Sequence, residues 1–90
     1  MSVRYSKRTV STTQQLVADW VGGQSSDDVV ISIYDMTDGF ASVSLVAMTN
    51  LSGSLFNYAW TPTSEHSFMI DYFNRTLEVH DFEQADVEAA

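Results

Sequence analysis

Most of this sequence consists of short segments in which apolar and polar residues alternate, separated by residues typical of turns. The clearest segment is 28–34, in which Val29, Ile31 and Ile33 share one face of a period-two pattern. β-Branched residues of this kind fit the pleated, half-buried surface of a strand. The turn that follows ends at Gly39, which can adopt a positive φ at no steric cost. We therefore predict that this segment is the central strand of a small all-β domain.

The same alternation recurs along the chain after residue 40. Alternating segments occupy 41–48, 55–60, 68–73 and 76–82, and turn-like residues occupy 49–53, 61–66 and 74–75. Period-two segments with turn signals every 8–12 residues are typical of a β-sandwich or barrel. We predict a two-sheet sandwich of about seven strands, with a core that contains Ile31, Ile33, Leu45, Phe56, Tyr58, Trp60, Ile70 and Leu77.

Segment 14–21 fits two interpretations. Leu16, Val17 and Trp20 have helical spacing, whereas Leu16, Ala18 and Trp20 alternate as in a strand. Periodicity alone cannot decide so short an apolar run. The all-β context favours a strand. Around it we expect an extended N-terminal arm or edge strand over 1–13, a sandwich over 14–83 and a solvated acidic tail over 84–90.

Composition narrows the possible functions. The chain has 90 residues, 44% of them hydrophobic, which indicates one folded domain rather than a disordered acidic chain. It has no cysteine, which excludes disulfides and thiolate zinc sites. No apolar run is long enough to span a bilayer, and no signal peptide is recognised, so a membrane partner is not expected.

The few cations are concentrated near the N-terminus. Arg4, Lys7 and Arg8 are three of the four, so residues 9–90 retain only Arg75 against all 12 acidic residues. The net charge of residues 9–90 is therefore −11, whereas the net charge of the whole chain is −8. A nucleic acid is not an expected partner, because binding phosphates needs a basic face.

Catalytic and metal-binding patterns are weak. His66 and His80 are the only histidines, and a zinc site needs three or four convergent ligands. Asp35 and Asp38 precede Gly39 as in part of a calcium loop, but the alternating acids and the distal glutamate are missing. Neither a nucleophile elbow nor a phosphate-binding glycine loop is present. We expect no catalytic residues, no cofactor and no bound metal.

Three stretches carry a family resemblance. Residues 28–35 read DVVISIYD, residues 48–62 read MTNLSGSLFNYAWTP, and residues 68–72 read FMIDY. Together they resemble small immunoglobulin-like β-sandwich modules of tailed-phage virion proteins and bacterial surface proteins. The antibody-type disulfide is absent here. The resemblance implies a structural or binding role and carries no shared active site.

Two functions follow as hypotheses. The first is a non-enzymatic structural virion protein, such as a capsid-decoration, neck or tail component, that assembles in many copies with itself or with another virion protein. The alternative is a free-standing binding module that recognises a carbohydrate or peptide through its loops. For the first, we expect the N-terminal segment to contact an acidic surface on a neighbour through Val3, Arg4, Tyr5, Lys7 and Arg8.

Overall fold

The computed structural model describes residues 3–90, and within that range every regular element is a β-strand. Residues 1 and 2 of the predicted arm lie outside the described range. The eight strands are β1 (Val3–Thr9), β2 (Gln14–Asp19), β3 (Val29–Asp35), β4 (Phe40–Ala47), β5 (Thr49–Ser52), β6 (Leu55–Trp60), β7 (Ser67–Asn74) and β8 (Val79–Glu88).

The strands form two sheets. One has the order β1-β8-β7-β3-β4 and the other has the order β2-β6-β5. β1 runs parallel to β8, and the other paired strands are antiparallel. β3, β7 and β8 take the places of strands C, F and G of an immunoglobulin-like sandwich, β4 that of the C′ edge strand, and β2, β5 and β6 those of B, D and E. The predicted fold class and the interior position of β3 are confirmed.

The core lies between the two sheets. Five of the eight predicted core residues are buried there, namely Ile31, Ile33, Phe56, Trp60 and Ile70, and Tyr58 packs partly buried against them. The Trp60 and Phe68 rings join the two sheets in an edge-to-face contact, with centroids 5.1 Å apart. Apolar burial of this kind is the main force that holds two sheets face to face.

Leu45 was predicted to lie in the core, but its side chain is 57% exposed. Ser44 and Leu45 stand opposite the single residue Ser32, so β4 contains a bulge. The Leu45 backbone has φ +50°, and its N–H donates to Ser32 Oγ at 3.0 Å instead of joining the strand ladder. The extra residue breaks the period-two pattern, and the prediction of Leu45 as a core residue is wrong.

Leu77 was also assigned to the core, and that assignment is wrong. The β7–β8 pairing begins at Asn74 and Val79, which leaves Leu77 exposed in the connecting turn. Asn74 is fully buried and organises the turn: its side chain donates to Asp27 Oδ2 at 2.9 Å and accepts the Leu77 N–H at 3.0 Å. The first residues of the predicted strand 76–82 therefore form a turn.

The structure confirms the prediction for one of two short segments and contradicts the prediction for the other. The ambiguous segment 14–21 contains strand β2, with Leu16 and Ala18 buried and Val17 exposed, so the strand interpretation is confirmed. The segment 49–53 was predicted to be a turn, but its first four residues form β5. This additional strand raises the count from about seven to eight.

The predicted acidic tail is wrong over 84–88, because β8 continues to Glu88. Ala85 and Val87 are buried in the core cluster. β1 pairs alongside β8 from Val3 to Thr9, so this half of β8 has a neighbour on each side. The N-terminal segment is accordingly an edge strand of the sandwich rather than a free arm.

Candidate interaction surface

One face of the five-stranded sheet packs on the three-stranded sheet, and no strand of the described chain covers its other face. Residues paired across neighbouring strands point to the same side of a sheet. The register therefore places three rows on the uncovered side, which we call the aromatic face: His80, Phe73, Val30 and Ala47; Val3, Phe82, Asp71 and Ser32; and Tyr5, Gln84, Met69, Tyr34 and Ala41.

The aromatic face presents several stacked or exposed rings. Tyr5 and Tyr34 are exposed, and Phe73 and Phe82 are partly exposed. The imidazole of His80 stacks on Phe73, with centroids 3.9 Å apart, and lies parallel to Phe82 at 5.7 Å. Stacked rings on adjacent strands make a flat apolar surface with little rotamer freedom left to lose on binding.

Few charged groups lie on this side of the sheet. Asp71, in the middle row, is the one carboxylate within the three rows of the described chain, and His80 Nδ1 approaches its Oδ1 at 2.8 Å. Lys7, Asp86 and Glu88 lie at the edge beyond the rows, where Lys7 contacts Glu88 at 3.3 Å. Most of the charge on this side therefore lies at the rim, as is typical of protein interfaces.

The outer side of the three-stranded sheet is different. Among the described residues it carries no aromatic side chain, and Gln15, Val17, Asp19 and Asn57 are among its members. The aromatic rings are therefore confined to one of the two outer sheet surfaces. That asymmetry makes the aromatic face the leading candidate for contact with another molecule.

The predicted basic interface divides between the two sides of β1. Val3, Tyr5 and Lys7 point to the aromatic-face side, whereas Arg4 and Arg8 point to the inner side. Arg4 donates to Asp81 at 2.9 Å, and Arg8 contacts Glu83 at 2.6 Å. These acidic partners belong to the same chain. Contact of the five residues with a neighbour stays a prediction, to which Val3 and Tyr5 can contribute through the aromatic face.

A polar cluster lies at the end of the sandwich where β3 ends. His66 Nδ1 is 2.7 Å from Asp35 Oδ2 and 3.9 Å from Asp38 Oδ2. The hydrogen bond raises the pKa of His66 and lowers the pKa of Asp35. Sequence analysis weighed the aspartates and the histidine separately and missed this cluster, because 28 residues or more separate His66 from them.

Two grooves flank the sandwich. One, of about 330 Å³, adjoins the polar cluster and is lined by Asp35, Ser42, Tyr58, Trp60 and Thr61, among others. The other, of about 440 Å³, is lined largely by apolar side chains that include Trp20, Val21, Leu77 and Val79. Leu77, which was predicted to lie in the core, instead borders this second groove together with Val79.

No protein-family model and no curated protein matches this chain. Residues 3–90 contain no helix that could cross a membrane.

The aromatic face itself had a signal in the sequence. In segment 68–73 both sides of the alternation carry large apolar residues, since Met69 and Phe73 oppose Phe68 and Ile70. This strand therefore shows in the sequence that apolar side chains lie on the outer as well as the inner surface of the sheet.

Proposed function

We propose that this chain is a non-enzymatic structural protein that assembles in multiple copies, as components of phage virions do, and that the aromatic face is its self-association surface. The observation that supports this proposal is the confinement of Tyr5, Tyr34, Phe73 and Phe82 to one uncovered sheet surface. Interface centres are enriched in aromatic residues and methionine and depleted in charged residues.

The size of the aromatic face suits a second copy of the chain. Five strands about 4.8 Å apart, and about seven residues that each rise about 3.3 Å, give a face of about 24 by 23 Å. This is about 550 Å² in projection, and its accessible area is larger because side chains protrude from it. The result approaches the roughly 800 Å² per partner of a standard interface. One such contact is modest, which suits a protein that is held by several neighbours in an assembly.

Charge also favours a second copy. The chain carries a net charge of −8, which would oppose self-association through an acidic surface. The centre of the aromatic face brings little charge together, because it holds one carboxylate, Asp71, whose Oδ1 lies 2.8 Å from His80 Nδ1. A basic partner would gain no electrostatic attraction from this surface, because the aromatic face carries so few acidic groups. An isologous contact, in which the face meets its own copy, needs no complementary charge.

Tyr34→Asp is expected to weaken self-association. The substitution places a charge in the apolar row with Met69 and Ala41, and two copies would bring two such charges together. We expect the wild-type sedimentation coefficient to rise with concentration from about 1 μM to 1 mM, and the variant to have a dissociation constant at least about tenfold higher. Val17→Asp is the matched control, since Val17 is 41% exposed on the other sheet and Tyr34 is 43% exposed.

Two results would contradict this proposal. One is a wild-type protein that stays monomeric over the whole range, and the other is an equal loss of association in Val17→Asp and Tyr34→Asp. Assignment to a virion has a separate test. We expect an antibody against the chain to label purified particles from the source rather than the particle-free fraction.

The groove beside Tyr58 supports the alternative function, a binding module for a carbohydrate. Partly exposed Tyr58 lies there with the hydroxyls of Ser42, Thr61 and Thr63 and the carboxylate of Asp35. Such a mixture of one ring and several polar groups suits a sugar. If this function holds, oligosaccharides will shift the amide resonances of 61–64 in a titration, and Tyr58→Ala will abolish the shifts. Unchanged spectra across a set of neutral and acidic glycans would remove the alternative.

A further inference from the structure

The polar cluster of Asp35, Asp38 and His66 has the geometry of a metal site. One ligand atom from each side chain, namely a carboxylate oxygen from each aspartate and a nitrogen of His66, lies within 4.8 Å of the other two. His66 Nδ1 faces both carboxylates, at 2.7 and 3.9 Å. In tetrahedral zinc sites, bonds of about 2.0–2.2 Å to nitrogen and oxygen put neighbouring ligand atoms about 3.3 Å apart. Small side-chain movements would bring all three atoms to that spacing.

The fold holds the two inner ligands in place. Asp35 ends β3, and its Oδ1 accepts the backbone N–H groups of Thr37 at 2.9 Å and Asp38 at 3.1 Å. Its other oxygen, Oδ2, is directed at His66. The His66 ring is stacked on Phe68, with centroids 6.3 Å apart. Groups that orient a ligand through its second oxygen or its ring face are a regular part of metal sites.

The chemistry of the donor set selects the ion. One imidazole nitrogen and two carboxylate oxygens suit zinc and similar divalent transition metals. Calcium needs six to eight oxygen ligands, and this cluster offers carboxylates from two residues only. Three protein ligands leave one tetrahedral position for water or another small ligand. Asp35 also lines the adjacent groove of about 330 Å³, from which that fourth ligand can come.

We propose that Asp35, Asp38 and His66 bind a divalent transition-metal ion, with zinc as the best fit. This inference is independent of the proposed assembly function, because the cluster and the aromatic face involve different residues. Metal binding requires the neutral imidazole, so the ion would displace a proton from His66 Nδ1.

Thermal unfolding with zinc chloride at pH 7.5 tests the site. We expect zinc in about hundredfold excess over its dissociation constant to raise the Tm of the wild-type chain by at least about 5 °C. Calcium chloride is expected to leave the Tm unchanged. Calorimetry should give one zinc ion per chain, and the His66 ring resonances should shift on titration.

Asp38→Asn is the main variant, because Asp38 is exposed and its loss leaves the Asp35–His66 hydrogen bond in place. We expect its zinc affinity to fall about tenfold or more, with an unchanged amide spectrum in the absence of metal. His66→Asn should abolish binding. His80→Asn is the matched control, since His80 pairs with the single carboxylate of Asp71, and its zinc response should equal that of the wild type.

Four outcomes would overturn the proposal. The first is a wild-type Tm that zinc leaves unchanged. The second is a zinc response that Asp38→Asn keeps in full. The third is a response that disappears in His80→Asn, which would place the ion at the other histidine. An equal response to calcium would also contradict the assignment to a transition metal. Each zinc response is the difference in Tm between the zinc-loaded and the zinc-free form of the same variant, so any effect of His80→Asn on self-association is present in both.

Discussion

Replacing Arg8 with Met is expected to lower the free energy of unfolding by about 3–5 kcal/mol, because it leaves a buried carboxylate without its cation. Glu83 lies in β8 and is only 3% exposed. Its Oε2 accepts hydrogen bonds from Arg8 Nη2 at 2.6 Å and from Ser6 Oγ, and its Oε1 accepts one from Tyr72 at 2.9 Å. Urea unfolding, followed by the fluorescence of the buried tryptophans, measures the change.

The pH dependence of this effect has a definite sign. Burial alone would raise the pKa of Glu83, but hydrogen bonds from Ser6, Arg8 and Tyr72 outweigh it and hold that pKa below its ordinary value. In the wild type, Glu83 therefore contributes stability that is present above its unfolded pKa, about 4.3, and is lost as the pH falls through its folded pKa. Without Arg8, burial should dominate and favour the protonated acid. The difference in the free energy of unfolding between Arg8→Met and the wild type is thus expected to shrink as the pH falls towards 4.

Lys7→Met is the control for Arg8→Met. Lys7 contacts Glu88 at 3.3 Å, but both side chains are exposed, so its loss should cost less than about 1 kcal/mol. The same reasoning gives an expectation for an N-terminal truncation. Deleting 1–10 removes both Ser6 and Arg8 from Glu83, and we expect the shortened chain to be destabilised rather than to keep an intact sandwich. Equal urea midpoints for Arg8→Met and the wild type would contradict this account of Glu83.

Trp60→Ala is expected to cost about 3–5 kcal/mol, because it removes the largest side chain from the contact between the two sheets. Trp60 ends β6, is buried in the core cluster and packs edge-to-face on Phe68 from the other sheet. Small domains are stable by only about 5–15 kcal/mol, so the variant should be partly unfolded near physiological temperature. Calorimetric melting measures the loss.

Phe40→Ala provides the comparison for Trp60→Ala. Phe40 is an aromatic residue at the start of the edge strand β4, but its side chain is exposed. Its truncation should change the stability by no more than about 0.5 kcal/mol. If both variants melted at the wild-type temperature, Trp60 would not be part of the core that joins the two sheets.

Much of the fold was accessible from local patterns. β7 alternates strictly between buried and partly exposed residues, and the predicted core residues Ile33, Phe56 and Ile70 are buried where the period-two pattern puts them. A period of two suffices for such strands, because one side of each must face the core. The core predictions for Leu45 and Leu77 failed because a bulge at Leu45 and a turn at Leu77 interrupt the period-two pattern. The apolar residues of the sequence keep their alternating spacing at both places and give no sign of the interruption.

Local sequence patterns were enough to predict that the chain is all-β, where its main strands lie and which of their sides face the core, because these properties depend on neighbours a few residues apart. The environments of Glu83 and His66 became visible only in the folded chain. Glu83 is the last residue of the predicted sandwich, next to the predicted solvated tail, and its cation is 75 residues away in β1. His66 meets Asp35 from 31 residues away. Such contacts depend on which strands become neighbours across the sandwich, and local periodicity contains no information about that pairing.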